Sequence, residues 1–472
     1  MSQTPALDRS WSDLLAEGRL PRFALICLGV WLNAADALVT ATIMPSVGLD
    51  LGGYGYFGWA TAGYFTGCIL AGATAGRLSE MFSLRSAICA AGLVYAAGCG
   101  LSAWAPDIGL FLAGRLLQGI GAGWISGFAY VAVGLLFPER HLPRVFAAIS
   151  GVWGVATLVG PLVGGLFAVA HAWRGVFWLF AAQAIAFSAA ALWLTPRAGR
   201  RDPSAGVPLP QLGLLAAGVA ALAVSGLKGG IAVTVGLGAA GLAFLWAAVQ
   251  LDARSAARLF PREAGALATP VGAGFAAIFT STAASMGLSI YGPAVLQTLR
   301  GLSPLAAGYV VGAEALGWTI MALLVANAQD PWPDRCVRLG AVCVAASAAM
   351  LIWAMRDGPL WSVIAASTLM GAGFGLSWSF ISQRMLTLLS DAERAVGASS
   401  LVAVRQTGSA AGAALAGAAA NLVGASADVF TRPTAEAVAV WVFAASVPPA
   451  LLGVWASWRL TRTAAVSSGS RR

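Results

Sequence analysis

Four charged side chains stand inside long apolar runs of the chain: Asp36, Arg115, Glu314 and Arg405. An ionisable group at membrane depth is costly unless it faces an interior cavity or a partner, and such groups mark ion and substrate pathways. The chemistry open to them is proton exchange and ion pairing. An aspartate beside an arginine keeps its charge, whereas one buried alone takes up a proton. An acid that alternated between those surroundings would bind and release a proton as the protein changed state. The competing role is architectural, a buried ion pair that fixes helix register.

Spacing decides which of these groups can meet. Asp36 lies about ten residues before the end of its run and Arg115 about eight after the start of another, so at about 1.5 Å per residue both sit roughly 12–15 Å below the same surface. Similar depth allows the two to meet. Glu314 and Arg405 each lie near mid-membrane, and spacing leaves open whether they touch. Glu314 is the intramembrane acid of the second half. It is therefore a second candidate for protonation, or for holding a cationic ligand.

The elements that must position these groups are membrane helices. Of 472 residues, 59% are apolar and 10% charged, against about 25% charged in soluble domains. Mean hydropathy is +0.79. These values exclude a soluble enzyme, a disordered chain, a secreted disulfide scaffold and a single-anchor receptor. The runs are too long and continuous for a β-barrel. The 58 glycines suit close helix packing in lipid. The six cysteines form no CxxC pair and read as small packing residues. With His141 and His171 the only histidines, no histidine-based metal site is expected.

Apolar spans fall at 22–47, 56–78, 85–104, 107–136, 143–170 and 174–195. After a Pro-, Gly- and Arg-rich linker from Thr195 to Pro210 come two more, at 211–227 and 231–251. A charged connection over 252–263 leads to spans at 266–292, 304–326, 337–355, 359–389, 395–423 and 436–458. The expected architecture is all-α and polytopic, with fourteen spans in the order six, two, six. Its parts are a cytoplasmic segment 1–21, a six-helix bundle 22–195, a linker with two helices 196–265, a second bundle 266–458 and a cytoplasmic tail 459–472. Residues 1–21 lack the features of a cleaved signal peptide.

Charge sets the orientation. With the N-terminus inside, 21 of the 28 basic residues fall in inside loops and tails, and five fall outside: Arg174, Lys228, Arg300, Arg356 and Arg432. That asymmetry favours an even number of spans with both ends in the cytoplasm. The net charge of +9 then reflects basic loops, and no nucleic-acid partner is expected.

Several segments carry a resemblance to the major facilitator superfamily. GRLSEMFSLRS, Gly76 to Ser86, resembles its loop between helices 2 and 3, usually G-x-L-x-D-R-x-G-R-K. Gly76, Leu78 and Arg85 fit, Glu80 stands for the aspartate, and Ser83 and Leu84 depart from the pattern. The resemblance implies a charge-paired latch on one transport state, weakened here. GRLLQGIGAG contains the family's R-x-x-Q-G as Arg115, Gln118 and Gly119. GPLVGG, from Gly160 through Pro161 to Gly164 and Gly165, matches the antiporter core G-P-x-x-G-G. DALVTATIMP, Asp36 to Pro45, and SSLVAVRQTGSAAGAALAG, Ser399 to Gly417, are similar to segments of the fourteen-span drug/proton antiporter family, as are the linker with two helices and the ARLFPRE segment.

The resemblance implies two six-helix bundles around a central cavity, related by a pseudo-two-fold axis, with two extra helices at the side. Substrate would bind near mid-membrane, and the bundles would rock about it. Trp31, Asn33, Trp124, Tyr291, Trp378 and Gln383 lie in spans expected to line the cavity, where aromatic faces suit planar or cationic compounds. There is no GxxxxGK[ST] motif, so a proton gradient, with no bound cofactor, is the expected energy source. The implied activity is proton-coupled export of amphiphilic small molecules or drugs across the inner (plasma) membrane, by a protein functional as a monomer. Its partners are substrate, protons and the lipid bilayer. Asp36 is the expected proton carrier, Arg115 the residue that governs it, and Glu314 and Arg405 the remaining coupling residues. The alternatives are an exporter of one metabolite, siderophore or lipid, or a non-transporting receptor.

Overall fold

Polar caps mark where the apolar runs turn helical. Asp107 accepts a hydrogen bond from the backbone N–H of Leu110 at 3.0 Å, and Ser83, Thr269 and Ser303 cap helices in the same way. Each side-chain oxygen satisfies a backbone donor that the first helical turn leaves unpaired. Gly301, at φ 64°, closes one helix in a left-handed conformation that suits a residue without Cβ.

The computed structural model describes residues 20–51, 57–195, 206–225, 231–423 and 431–469, among which there is no strand. The first helices are α1 (Leu20–Leu51), α2 (Phe57–Met81), α3 (Leu84–Trp104), α4 (Ile108–Leu136), α5 (Leu142–Val169) and α6 (Trp173–Leu194). A short pair follows, α7 (Leu209–Ser225) and α8 (Ile231–Arg254). The rest are α9 (Pro270–Arg300), α10 (Pro304–Val325), α11 (Trp332–Arg356), α12 (Leu360–Leu388), α13 (Arg394–Leu422) and α14 (Arg432–Gly469). Lys228, expected outside, lies beyond the described residues.

Eleven of these helices are long and apolar enough to cross a membrane. The helix α7, at 17 residues, is apolar but shorter. The helix α13 is less apolar because Arg405, Gln406 and Ser409 face inward, toward a cavity. Large apolar side chains such as Trp193 and Leu324 cover the outer surface, as expected where lipid is the solvent.

Glycines set how closely the helices approach. A Cβ on Gly160 would come 2.7 Å from Cβ of Leu38, and one on Gly164 2.8 Å from Cβ of Thr42, so α5 lies directly on α1. The second half repeats the arrangement, with Gly408 and Gly412 of α13 against Phe279 and Ala283 of α9. In the same way Gly119 and Gly123 of α4 meet Tyr64 and Cys68 of α2, while Gly371 and Gly375 of α12 meet Glu314 and Trp318 of α10. Helices α1–α6 and α9–α14 therefore follow one packing plan. The two groups meet along α2 and α4 against α13, and along α5 against α10 and α12. The α7–α8 pair lies against α13, with α7 also touching α2.

The end at which α1 begins is called proximal here. Phe23 at the start of α1 meets Phe137 after the end of α4 with ring centroids 6.5 Å apart. At the opposite, distal end, beyond the apolar run, hydrogen bonds from Arg174 and Trp173 hold the exposed Asp50 carboxyl below the usual carboxylate range.

Candidate functional site

Asp36 and Arg115 are in contact and sealed from solvent, with 0% and 2% exposure. Arg115 Nη1 donates to both carboxylate oxygens of Asp36 at 3.1 Å and to Gln118 Oε1 at 2.7 Å. Asp36 Oδ1 also accepts from Gln118 Nε2 at 2.9 Å and from the Thr40 hydroxyl at 3.0 Å. Gln118 lies one turn after Arg115 on α4, and Thr40 one turn after Asp36 on α1, so helical spacing supplies both supports. The Arg115 guanidinium lies 4.5 Å from the ring centroid of Tyr64. This ion pair is retained at low dielectric because its charges are paired and most of its polar atoms are bonded.

A second layer joins this pair to a cavity. The Tyr64 hydroxyl donates to Asn33 Oδ1 at 2.7 Å, and Asn33 Nδ2 donates to the Ser126 hydroxyl at 2.8 Å. Asn33 also lines the cavity. Tyr64 and Asn33 thus link the sealed pair to open space.

The cavity has a volume of about 1590 Å³, larger than the roughly 300–1,000 Å³ of ordinary ligand pockets. It lies between the two groups of helices. Its lining runs from Trp153, Trp378 and Arg405 near mid-helix to Val169 and Leu305 at the distal end, and Val219 and Leu222 of α7 close one side. The wall is mostly apolar. Glu314 and Arg405 are the charged residues on it. They make no ion pair with each other, and Glu314 has no hydrogen-bond partner among the described residues. The Arg405 guanidinium lies over Trp153 and Trp378, 5.6 and 5.4 Å from the ring centroids.

The proximal end is closed by contacts between the two halves. Trp318 Nε1 donates to the Ser150 hydroxyl at 3.0 Å, and Arg144 Nε to Asn327 Oδ1 at 2.7 Å. Gln383 Nε2 donates to the Glu139 carbonyl at 3.2 Å, and Arg394 lies 3.9 Å from the Glu139 carboxylate. A Cβ on Gly76 would come 2.6 Å from Cα of Val396, which brings α2 onto α13. Glu80 pairs with Arg77 at 2.8 Å, not with Arg85. Arg85 instead donates to the Thr195 carbonyl at 2.7 Å, tying α3 to the end of α6. Substitution of the loop's usual glycine and basic residue by Ser83 and Leu84 fits this local arrangement, because Ser83 caps α3.

The residues expected to touch substrate divide. Asn33, Tyr291 and Trp378 line the cavity. Trp31 instead hydrogen-bonds Gln183 on α6 at 3.3 Å, and Trp124 donates to Thr74 on α2 at 2.9 Å. Gln383 lies too far along α12, at the closed end. Gly160 and Gly164 face α1, whereas Gly165 meets nothing within 4 Å and opens to the cavity. Pro161 lies within α5, but its side chain is outside the described residues. Sequence reasoning missed Trp153, Trp318 and Phe374 on the cavity wall, and Thr40, Tyr64 and Tyr95 around the buried pair. Trp318 carried a usable signal, one helical turn after Glu314.

A helical multi-pass protein with a large central cavity between two similarly packed halves, and isolated charges at its wall, is a membrane transporter and not an enzyme. A family model described as Major Facilitator Superfamily matches residues 26–413, and the chain belongs to that superfamily. It is 30% identical over 440 residues to a probable multidrug-efflux transporter of Mycobacterium tuberculosis, covering 89% of this chain and 92% of that one. A transporter of an acurin A biosynthesis cluster in Aspergillus aculeatus is 34% identical over 158 residues, 33% of this chain and 28% of that one. Among solved structures, the human organic anion transporter MFSD10 aligns over 92% of this chain and 99% of its own, with a TM-score of 0.67 and 16% identity. A proton:xylose symporter aligns over 93% and 94%, with a TM-score of 0.65 and 16% identity. These two likenesses establish the fold.

Proposed function

We propose that this protein is a proton-coupled antiporter that exports amphiphilic small organic molecules or drugs from the cytoplasm by alternating access. It would act as a monomer in the inner (plasma) membrane, with fourteen spans, both termini cytoplasmic and no bound cofactor. The bundles 22–195 and 266–458 would rock about the cavity, and the segment 196–265 would hold the side helices. In this orientation the open distal end would face outward and the closed proximal end the cytoplasm.

The observation that carries the reading is the sealed Asp36–Arg115 pair, linked to the cavity through Tyr64 and Asn33. A carboxylate that gains or loses its cation as helices move changes its hold on a proton, and this links helix movement to proton flow. The mostly apolar wall and the name of the mycobacterial relative support the substrate class. Glu314, on the wall itself, is the second proton site.

The test is transport by the purified protein in proteoliposomes. With an imposed pH gradient, ethidium should move uphill against the proton flux, and collapse of the gradient by a protonophore should stop it. Ethidium movement that ignores the gradient would overturn proton coupling.

A further inference from the structure

Arg405 is a permanent cation, because arginine does not release its proton in proteins. It lines a mostly apolar cavity, where charge interactions are stronger than in water. Among the described residues it has no carboxylate partner, and Glu314 on the same wall makes no ion pair with it. The faces of Trp153 and Trp378 steady its charge. A ring face does not accept the in-plane N–H groups of a guanidinium, so the fork that matches a carboxylate remains available.

The surroundings are fixed in advance. Gly408 and Gly412 pin α13 against α9 close to Arg405. Trp378 meets Trp318 edge-on at 6.2 Å, and Trp318 stacks on Phe374 at 4.8 Å with planes 12° apart. Trp318 is in turn held by its hydrogen bond to Ser150. A cation presented by rigid elements beside aromatic surface matches a ligand that has an acidic group on an apolar, preferably aromatic, body.

We propose that Arg405, set between Trp153 and Trp378, is the subsite that receives the carboxylate of an amphiphilic organic anion. This deepens the proposed function and rests on the cavity being the substrate site. The carboxylate would accept two parallel hydrogen bonds from the guanidinium while its apolar body lies along Trp378 and Phe374. Arg405 would then select substrates and not carry protons.

Two probes of nearly equal shape test this, 1-naphthaleneacetate and its neutral amide, with binding to the purified full-length protein measured by equilibrium dialysis. The wild type should bind the acid about tenfold or more tightly than the amide, as a charge-assisted pair requires. Arg405→Gln should abolish that gap while leaving amide binding in place. Arg405→Lys, which keeps the charge and loses the fork, should narrow the gap, and it is the variant to read should Arg405→Gln fail to fold. Equal binding of acid and amide by the wild type, no saturable binding of either, or an undiminished gap in both variants would each overturn the subsite. Uphill export of ethidium by the same preparations separates the two ideas. Its persistence with no acid–amide gap leaves the antiporter standing without the anion subsite, and its loss with the gap intact does the reverse.

Discussion

Arg115 holds Asp36 through one nitrogen, Nη1, which lies 3.1 Å from each carboxylate oxygen and 2.7 Å from Gln118 Oε1. Its Nε is buried without a hydrogen-bond partner. This is an end-on contact and not the two-point fork that makes arginine–carboxylate pairs strongest. Because a single atom serves both carboxylate oxygens, a small slide of α4 along α1 would break both of its bonds to Asp36 together, while its bond to Gln118, within α4, would persist. The arrangement suits a pair that must separate in a cycle.

Asp36→Asn is therefore expected to abolish proton-driven uphill transport while ligand binding in the cavity, which Asp36 does not line, changes little. Proteoliposome flux under a pH gradient, with dialysis binding beside it, checks both halves. Uphill transport at the wild-type level in Asp36→Asn would remove that residue from the coupling scheme.

Arg115→Ala leaves a buried carboxylate without its cation. Breaking a buried pair in this way costs about 3–5 kcal/mol, so a clear fall in thermal stability is expected at neutral pH. If the pair governs coupling, the pH profile of any remaining transport should change. An unaltered profile in a folded variant would show that the pair does not govern coupling.

The repeated contact of α5 on α1 separates two kinds of glycine in one motif. Gly164→Val forces side-chain atoms into Thr42 and should cost about 1–3 kcal/mol, the usual range for overpacking. Gly165→Ala meets open space and should leave the melting temperature unchanged. Equal tolerance of both substitutions would mean that α5 and α1 are not held as closely as described.

That Asp36 and Arg115 could meet was legible in the sequence because depth along two helices follows from residue count alone. Helix positions followed from apolar run length for the same reason. Facing was not legible for Trp31 and Trp124, because a tryptophan fits an interhelical hydrogen bond as well as a cavity wall. Gln383 was misplaced because α12, at 29 residues, runs past the cavity to the closed end. Whether Glu314 meets Arg405 depends on how α10 and α13 are placed within the second group of helices, a distance that no single helix encodes. Trp153 became visible as a wall residue once α5 was seen to turn Gly160 and Gly164 toward α1 and Gly165 toward the cavity.

Gly76 tests the closed end. Its Cα faces Val396 Cα across the α2–α13 contact, so Gly76→Leu must push backbone away from backbone. That penalty falls only on the proximally closed state, and a difference between states shifts the population. With the native cysteines removed, a cysteine introduced at Ser409 reports which side can reach the cavity. Its labelling by a membrane-impermeant thiol reagent should rise from the proximal side and fall from the distal side in Gly76→Leu. Unchanged labelling from both sides would show that this contact does not hold the gate.

Glu314 gives the sharpest test of competition between proton and substrate. It lines the cavity and has no protein partner among the described residues, so a bound cation and a proton would use the same carboxylate. Binding of tetraphenylphosphonium by the wild type should weaken as pH falls, since protonation removes the charge that holds it. Glu314→Gln removes that charge at every pH. Its binding should therefore be about tenfold weaker at alkaline pH, where the wild-type carboxylate is ionised, by loss of one charge pair in an apolar wall, and flat across the pH range. Binding of the neutral naphthalene amide should stay within about twofold, because the loss of a single charge leaves the apolar wall unchanged. A pH-dependent affinity that survives Glu314→Gln would place the competing proton on another residue, with Asp36 the first to examine through the Asn33–Tyr64 layer.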